Sequence, residues 1–378
     1  IWGAGLPVAT ATGDQRHPVA TADGEGGAIV AWEDDRSGNA DVYAARITYN
    51  GAIGWAGGYG GGAGDQTGPS LSSDGEGGAF IAWQDTRNGG SDIYAIRVAF
   101  SGGIPPGWSG ARPVCIASGT QQHPSCASDG AGGVIVAWED DRSDATSGFD
   151  LYALRIRGDA TLASGWTTDG NAMCAASGDQ TGIHLVSDGI GGAIASWEDD
   201  RSGNPDIYAL QITASGAPDS GWTANGTVLC GAGGAQVAPA IGSDGTGGAF
   251  VTWTDQRSGE ADVYATHVRG LPLGSPVGTP VAALPRALQL FAPHPNPAFG
   301  RTEFAFELPA VERVDLDVLD TAGRRIQGLV SDAHLPAGSH RSAWEGTDGR
   351  GRRVGPGVYY VRLRAAGRTQ VRRFVMLR

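Results

Sequence analysis

One segment, Asp23–Arg36, and the strand-like Asp41–Ala44 that follows it occur five times along the chain. Every copy keeps one tryptophan, and successive tryptophans are separated by 51, 55, 59 and 56 residues. These tryptophans are Trp32, Trp83, Trp138, Trp197 and Trp253. Tandem repeats of this length are typical of propellers, solenoids and arrays, in which one small structural unit is stacked many times. The repeat therefore constrains the fold more than any other feature of the chain.

Each repeat contains four segments with the composition of β-strands. In the first copy they are Gly5–Ala11, His17–Ala22, Ala28–Trp32 and Asp41–Ile47. The glycine-rich Asp23–Gly27 lies between the second and third segments and supplies the positive φ angles of a tight hairpin. A four-stranded unit of this length is typical of a propeller blade. The five copies predict an all-β fold with a five-bladed propeller over residues 1–269, and a β-solenoid is the alternative.

The phase of the repeats predicts how the ring closes. The array begins with a single outer-type strand, Gly5–Ala11, and ends with three strands, Val237–Ser243, Ala249–Trp253 and Asp262–Val268. The first segment could supply the fourth strand of the last blade. Closure of this kind removes the free strand edges that an open array exposes.

Charge is distributed unevenly over the 378 residues. Residues 1–269 carry a net charge of −19 and residues 270–378 a net charge of +6, which together give −13. An acidic main body argues against a nucleic-acid partner, since phosphate binding needs a basic surface. The chain also has no apolar run of the length that spans a bilayer, so we expect no transmembrane segment.

The last third of the chain changes in character. Residues 270–298 are rich in proline and small residues and are interpreted as a linker. Residues 299–378 contain strand-like segments between glycine turns and predict a small β-sandwich of about seven strands. The segments are Thr302–Leu308, Arg313–Leu319, Gly338–Trp344, Val358–Ala365 and Gln370–Leu377.

Several motifs of this region resemble the C-terminal module of secreted bacterial proteins. They are Pro295–Pro297, Val314–Asp320, Ala322–Arg325, Leu335–Gly338, Trp344–Gly346 and Gly357–Tyr360. The module is similar to the immunoglobulin-like domain of flagellar hook-capping proteins and to the type A sorting domain of the type IX secretion system. The five repeats also resemble propellers of such exported proteins. The resemblance implies an Ig-like sorting or attachment domain, and a secreted or cell-surface protein of a Gram-negative-type bacterium.

The most regular polar pattern is Trp-x-Asp-x-Arg. Its pairs are Asp34 with Arg36, Asp85 with Arg87, Asp140 with Arg142, Asp199 with Arg201 and Asp255 with Arg257. As a ring of equivalent sites they could bind a ligand, and oxygen-rich loops suit Ca²⁺. Alternatively each aspartate accepts backbone hydrogen bonds in its loop and each arginine pairs with a carboxylate. The arginines disfavour a metal, so we favour the structural role and expect no cofactor.

A second tryptophan series precedes the outer strands. It comprises Trp2, Trp55, Trp108, Trp166 and Trp222. Exposed members could stack on sugar rings, whereas buried ones would seal the apolar layer between blades. Among the four cysteines, Cys115, Cys174 and Cys230 occupy one repeat position, so Cys115–Cys126 is the only plausible disulfide. The alternative is four buried thiols.

The acidic residues mostly follow the repeat, whereas glycosidases need two carboxylates in unequal surroundings. Nor do the seven histidines have a Ser or Cys partner at the spacing of a hydrolase triad. The sequence therefore predicts an exported, non-catalytic structural or adhesive protein. Its expected partners are further copies of itself, through the propeller and the C-terminal domain, or surface glycans. A lectin-like propeller and a glycoside-active enzyme are the alternatives.

Overall fold

A computed structural model describes residues 5–143, 148–268, 288–335, 338–365 and 367–377. The prediction of an all-β fold is confirmed, because every regular element of these residues is a strand. They contain no helix long and apolar enough to cross a bilayer. The chain divides into two compact units, Ile1–Ser275 and Pro276–Arg378.

The first unit is a propeller-like series of five antiparallel sheets. Sheets 1 to 4 have four strands each and sheet 5 has three, always in chain order from the inner strand outwards. Sheet 1 contains β1 (Gln15–Ala22), β2 (Ala28–Asp34), β3 (Asp41–Ile47) and β4 (Ile53–Gly60). Sheet 2 contains β5 (Gln66–Ser73), β6 (Ala79–Asp85), β7 (Asp92–Val98) and β8 (Arg112–Cys115). Sheet 3 contains β9 (Gln121–Ser128), β10 (Val134–Asp140), β11 (Asp150–Ile156) and β12 (Asn171–Cys174). Sheet 4 contains β13 (Gln180–Ser187), β14 (Ala193–Asp199), β15 (Asp206–Ile212) and β16 (Thr227–Cys230). Sheet 5 contains β17 (Gln236–Ser243), β18 (Ala249–Asp255) and β19 (Asp262–Val268).

The hairpin between the first two strands of each sheet is set by its aspartate. In sheet 1, Asp23 Oδ1 accepts hydrogen bonds from the backbone N–H groups of Glu25 and Gly27, at 2.8 and 2.7 Å. A side chain at Gly27 would meet the Ile47 carbonyl oxygen at 2.2 Å, so only glycine fits there. The motif Asp-Gly-x-Gly-Gly thus encodes a turn that brings two apolar strands together.

The core of the first unit lies between successive sheets, whose inner strands contact each other in the order β1, β5, β9, β13 and β17. The motif tryptophans fill this space, and Trp83, Trp138 and Trp197 are completely buried. A side chain at Gly60, in the outer strand of sheet 1, would meet the Trp83 ring at 2.8 Å. Trp83 therefore packs on the outer strand of the preceding sheet, whereas Trp138 and Trp197 lie close to Gly170 and Gly226, next to the outer strands of their own sheets.

The prediction that Gly5–Ala11 closes the ring as the fourth strand of the last blade is wrong. This segment is not a strand, and β19 has no outer partner among the described residues. Sheet 5 also leaves one apolar face open, the face that in sheet 4 is covered by the following sheet: Phe250 is 53% exposed and Val263 is 82% exposed. Their counterparts in the other sheets are all 0% exposed, namely Ile29, Phe80, Ile135 and Ile194 for Phe250, and Val42, Ile93, Leu151 and Ile207 for Val263.

The described residues of the second unit form seven strands in two sheets that share one apolar core. One sheet contains β20 (Gln289–Leu290), β21 (Thr302–Leu308) and β24 (Gly338–Trp344). The other contains β23 (Arg325–Leu335), β22 (Glu312–Leu319), β25 (Gly357–Ala365) and β26 (Arg368–Met376), in that spatial order. Phe304, Phe306, Trp344 and Phe374 fill the core. Strand β20 lies within the predicted linker 270–298, so the end of that segment is part of the second unit. Residues 269–287 of the predicted linker lie outside the described residues.

Two equivalent valines test whether the face of sheet 5 is open in solution. Val42→Ala removes methyl groups from a fully buried site and should lower the free energy of unfolding by about 2 kcal/mol. Val263→Ala changes an exposed side chain and should cost less than about 0.5 kcal/mol. Urea unfolding of both variants measures the difference. Equal losses would mean that another surface covers sheet 5 in solution.

Candidate functional site

The Trp-x-Asp-x-Arg loops form an internal hydrogen-bond network. Asp34 Oδ2 accepts hydrogen bonds from Trp32 Nε1 at 2.8 Å and from Arg36 Nη2 at 2.6 Å. Asp34 Oδ1 accepts from the backbone N–H and Nε of Arg36. The Arg36 guanidinium also lies 4.1 Å from the centre of the Tyr43 ring. The arginine holds the pKa of the Asp34 carboxyl at about 2.

The same network occurs in the other four sheets, where it joins Trp, Asp and Arg of each motif. Its members are Asp85 with Arg87, Asp140 with Arg142, Asp199 with Arg201 and Asp255 with Arg257. The aspartates are all 0% exposed, and both oxygens of each accept hydrogen bonds. The predicted ligand loops thus have their carboxylates engaged internally. In the described residues no group of three or more His, Cys, Asp or Glu is placed to hold a metal ion.

The second tryptophan series also makes contacts between sheets. Trp55 Nε1 donates to the carbonyl of Phe100 at 2.9 Å, and Trp108 and Trp166 make the equivalent bond to the next sheet. Trp108 and Trp166 are buried, whereas Trp55 and Trp222 are partly buried and pack on the core. Trp2 lies outside the described residues. These rings lie against protein and are poorly placed as platforms for sugar.

The predicted Cys115–Cys126 disulfide is not formed, and all four cysteines are buried free thiols. Cys115 belongs to the outer strand of sheet 2 and Cys126 to the inner strand of sheet 3. The two cysteines thus lie in different sheets, one on an outer edge strand and the other on an inner edge strand, and their thiols do not meet. Burial raises the pKa of both thiols to about 12. Cys115 Sγ instead accepts a hydrogen bond from Arg142 at 3.0 Å.

The inner strands carry a second repeated feature, a bulge after their second residue. The bulged residue has a positive φ in every sheet, at His17, Gly68, His123, Gly182 and Ala238. In three interfaces its backbone N–H donates to a glutamate of the preceding sheet, at distances of 2.7–2.8 Å. These pairs are Gly68 with Glu33, Gly182 with Glu139 and Ala238 with Glu198. A carboxylate of a second strand thus joins its sheet to the inner strand of the next sheet at these bulges.

Where sheets 3 and 4 meet, two histidines, His123 and His184, lie near the glutamate of the junction, Glu139. Glu139 is buried, and its Oε2 lies 2.8 Å from His123 Nδ1 and accepts a hydrogen bond from Gln122 at 3.0 Å. Glu139 raises the pKa of His123, so the carboxylate favours the imidazolium. His184 of β13 lies near Glu139 and Glu198, but desolvation lowers its pKa against their influence. The junction therefore has two histidines with oppositely shifted pKa values.

Both histidines line a cavity of about 950 Å³ that we call the inner-strand cavity. Its walls come from β1, β5, β9 and β13, with Asp179 and Phe149 also lining it. Apolar atoms of Val19, Pro69, Leu71, Pro124 and Ile183 cover much of the surface. His17 repeats the contact of His123, since its Nδ1 lies 2.9 Å from Glu33, but it does not line the cavity.

Sequence reasoning singled out the symmetric residues and missed this cluster. His184 stands at a repeat position that elsewhere holds Val19, Ser70, Ser125 and Ala240. A histidine among small residues was the available signal. Its significance depends on Glu139, which lies 45 residues away in the chain, and their proximity follows only from the packing of sheet 4 on sheet 3.

Comparison with known proteins finds no matching family model and no matching curated protein. Solved structures of similar fold include an α-L-arabinanase of Penicillium chrysogenum, at 12% identity over 88% of this chain and 93% of that one, with a TM-score of 0.43. A Hadza microbial sialidase matches at 12% identity over 64% of this chain, with a TM-score of 0.40. The match spans 53% of the sialidase, about half its length. PorZ, a surface component of the type-IX secretion system of Porphyromonas gingivalis, matches at 10% identity over 93% of this chain and 58% of that one, with a TM-score of 0.30.

These structures correct two predictions. The chain was expected to be a non-catalytic structural or adhesive protein and not an enzyme. Both predictions are wrong on this comparison, because the solved structures of similar fold are mainly arabinanases and arabinofuranosidases. At 10–13% identity the likeness concerns the fold alone. The chemistry has to be argued from the inner-strand cavity itself.

The motif carboxylates provide a test of the internal network. Asp34→Asn removes the charge that Arg36 and Trp32 contact and should lower the free energy of unfolding by about 2 kcal/mol at pH 7. Because the pKa of Asp34 is lowered to about 2, the carboxylate stabilises the fold above the ordinary aspartate pKa. That contribution is lost as the pH falls towards 2.

The difference between wild type and Asp34→Asn should therefore shrink on acidification. Thermal unfolding at pH 7 and pH 3 measures it, with Asp14→Asn as a control, since the Asp14 side chain is 86% exposed. A constant difference at both pH values would contradict the assigned role of the charge.

Proposed function

We propose that the first unit is a glycoside-active enzyme that binds carbohydrate in the inner-strand cavity, with its five sheets as the blades of a propeller. The observation that carries this proposal is the cluster of His123, Glu139 and His184 on the cavity wall. Its member His184 departs from the repeat, because the other inner strands carry Val19, Ser70, Ser125 and Ala240 at this position. Sites built within a repeat array are expected to break its symmetry in this way.

The volume of the cavity supports a small oligosaccharide as its ligand. Ligand sites are typically concave spaces of about 300–1,000 Å³, mostly apolar, with a few convergent polar groups. The cavity of about 950 Å³ lies at the upper end of this range. Its wall combines the apolar faces of Val19, Leu71 and Ile183 with the polar groups of His123, His184 and Asp179. Sugars need both kinds of surface, since each ring has apolar faces and a polar rim.

The two histidines suit acid and base roles. Groups whose surroundings move their pKa values apart are the natural pair for opposite proton transfers. His123, held by Glu139, is the proton donor to the leaving glycosidic oxygen. His184 is the proton acceptor from the attacking water. One proton is given and one is taken, so the net reaction adds water across the bond. Asp179 supplies negative charge near the positively charged transition state.

Glycan binding without turnover is the second candidate. It is favoured by the state of Glu139, because both of its oxygens already contact protein groups, namely Gly182 N–H on Oε1, and Gln122 and His123 on Oε2. Such a carboxylate is poorly available as a nucleophile. The two candidates share the cavity and differ in whether a bond is broken.

Three histidine variants test the proposal. On a polysaccharide that the wild type degrades, His123→Ala and His184→Ala should each lower kcat about 100-fold. A positioned acid or base accelerates the reaction by about that factor or more. His17→Ala is the matched control, because His17 makes the same contact with Glu33 outside the cavity, and it should keep full activity. Release of reducing ends from arabinan, xylan, mannan and β-glucan is the measurement.

Each outcome is decisive. Binding of oligosaccharide without release of reducing ends would favour the second candidate. If the protein binds none of the polysaccharides and releases reducing ends from none of them, both candidates are overturned.

The pH profile gives an independent prediction. His184 has to be neutral, so activity should rise as the pH passes its lowered pKa. His123 has to be protonated, so activity should fall as the pH passes its raised pKa. The result is a bell-shaped profile of kcat/KM around neutral pH. If kcat/KM of His123→Gln still falls at alkaline pH as it does in the wild type, His123 is not the proton donor.

For the second unit we propose an Ig-like fold and a role in export or surface attachment. The support is its two-sheet core of seven strands together with the sequence resemblance of residues 299–378 to sorting modules. Expression in a bacterium with a type IX secretion system tests this. Deletion of residues 299–378 should retain the protein inside the cell, and unchanged export would contradict the role.

A further inference from the structure

We propose a second carbohydrate site on the first unit, for neutral sugar residues of a polysaccharide. It is a cavity of about 670 Å³ that we call the aromatic pocket, lined by Tyr49, Phe100, Arg46, Glu25, Glu76 and Asn50. It lies between sheets 1 and 2, at the end of the strands that carries the Asp-Gly hairpins. The choice of sugar rests on the proposed function, but the site itself rests on its own geometry.

The aromatic rings are additions to the repeat. Tyr49 is 75% exposed and Phe100 is 44% exposed. The same repeat position holds Gly158 in sheet 3 and Ala214 in sheet 4. The structural role of this position is carried by its backbone, since Phe100, Gly158 and Ala214 each offer a carbonyl to a tryptophan of the preceding sheet. The fold therefore does not require a ring there.

The Phe100 ring is held in place on one side. The Arg46 guanidinium lies 3.8 Å from its centre, and Asp23 fixes that guanidinium with contacts of 2.7 and 2.9 Å. Gly77 makes room for the ring, because a Cβ at Gly77 would lie 2.7 Å from Phe100 Cδ2. An aromatic side chain fixed in this way loses little entropy when a ligand stacks on it.

Polar groups complete a surface suited to sugar. Glu25, Glu76 and Asn50 provide oxygens and an amide that can bind pairs of hydroxyl groups. Two carboxylates disfavour an anionic ligand. Arg46 disfavours a cation, because it already occupies the face of the Phe100 ring. Exposed rings beside hydroxyl-binding groups therefore favour a neutral sugar.

The pocket and the inner-strand cavity occupy different parts of the unit and share no lining residue. A polysaccharide held in the aromatic pocket would raise the effective concentration of its other segments at the cavity. Short oligosaccharides would gain nothing from this, since they cannot reach both places.

Electrophoresis of the full chain in gels that contain arabinan, xylan, mannan or β-glucan tests the site. At least one polysaccharide should retard the wild type. Phe100→Ala and Tyr49→Ala should each weaken that retardation roughly tenfold in apparent affinity. Phe250→Ala removes a ring that is 53% exposed on sheet 5, outside the pocket, and serves as the control that keeps full affinity.

The possible results separate this site from the proposed activity. Retardation that is lost in Phe100→Ala but kept in His123→Ala establishes the pocket, whether or not any glycosidic bond is cleaved. Retardation that Phe100→Ala and Tyr49→Ala leave unchanged overturns the pocket, even if the chain degrades polysaccharide. Retardation by none of the four polysaccharides also overturns it.

Discussion

The first unit depends on a buried carboxylate at the end of each second strand. Asp34 and its four equivalents each accept hydrogen bonds from the tryptophan two residues before and from the arginine two residues after, as Asp34 does from Trp32 and Arg36. Where the outer strand of the preceding sheet ends in cysteine, the same arginine reaches it, as Arg142 does with Cys115. A buried charge is tolerable only when it is paired and fully hydrogen-bonded, so each aspartate fixes the tryptophan and the arginine of its own sheet. The arginine–cysteine contacts join sheets 2 to 5, and three of the inner strands that line the cavity, β5, β9 and β13, belong to these sheets.

Symmetry and its loss separate stability from function in this chain. Residues that repeat in all five sheets, such as the Trp-x-Asp-x-Arg loops, are engaged internally. Residues that depart from the repeat lie on open surfaces: His184 lines the inner-strand cavity, and Tyr49 and Phe100 line the aromatic pocket. The residues that repeat between sheets therefore form the scaffold. The positions where one sheet carries a different residue indicate where a ligand could bind.

Much of the fold could be predicted from the sequence, because the Asp-Gly-x-Gly-Gly turns and the strand spacing are local signals. The predicted closure of the ring by Gly5–Ala11 is wrong, since the phase of the repeats does not determine whether this segment pairs with a strand more than 250 residues away. The proposed disulfide failed for a similar reason: Cys115 and Cys126 are close in sequence but lie on outer and inner strands. The site was missed because its glutamate belongs to the repeat. Unlike Glu33, Glu139 has a histidine of the next sheet near it, His184, which the packing of sheet 4 on sheet 3 brings there.

We propose that His123 and His184 face one carbohydrate in the inner-strand cavity, His123 protonated and His184 neutral. NMR titration of the imidazole side chains, with and without oligosaccharides from the tested polysaccharides, measures this directly. We expect His123 to titrate above the ordinary histidine pKa and His184 below it, and an oligosaccharide to shift the resonances of both while leaving that of His17 unchanged. Titration of His123 and His184 together at the ordinary value, with no response to any oligosaccharide, would contradict it.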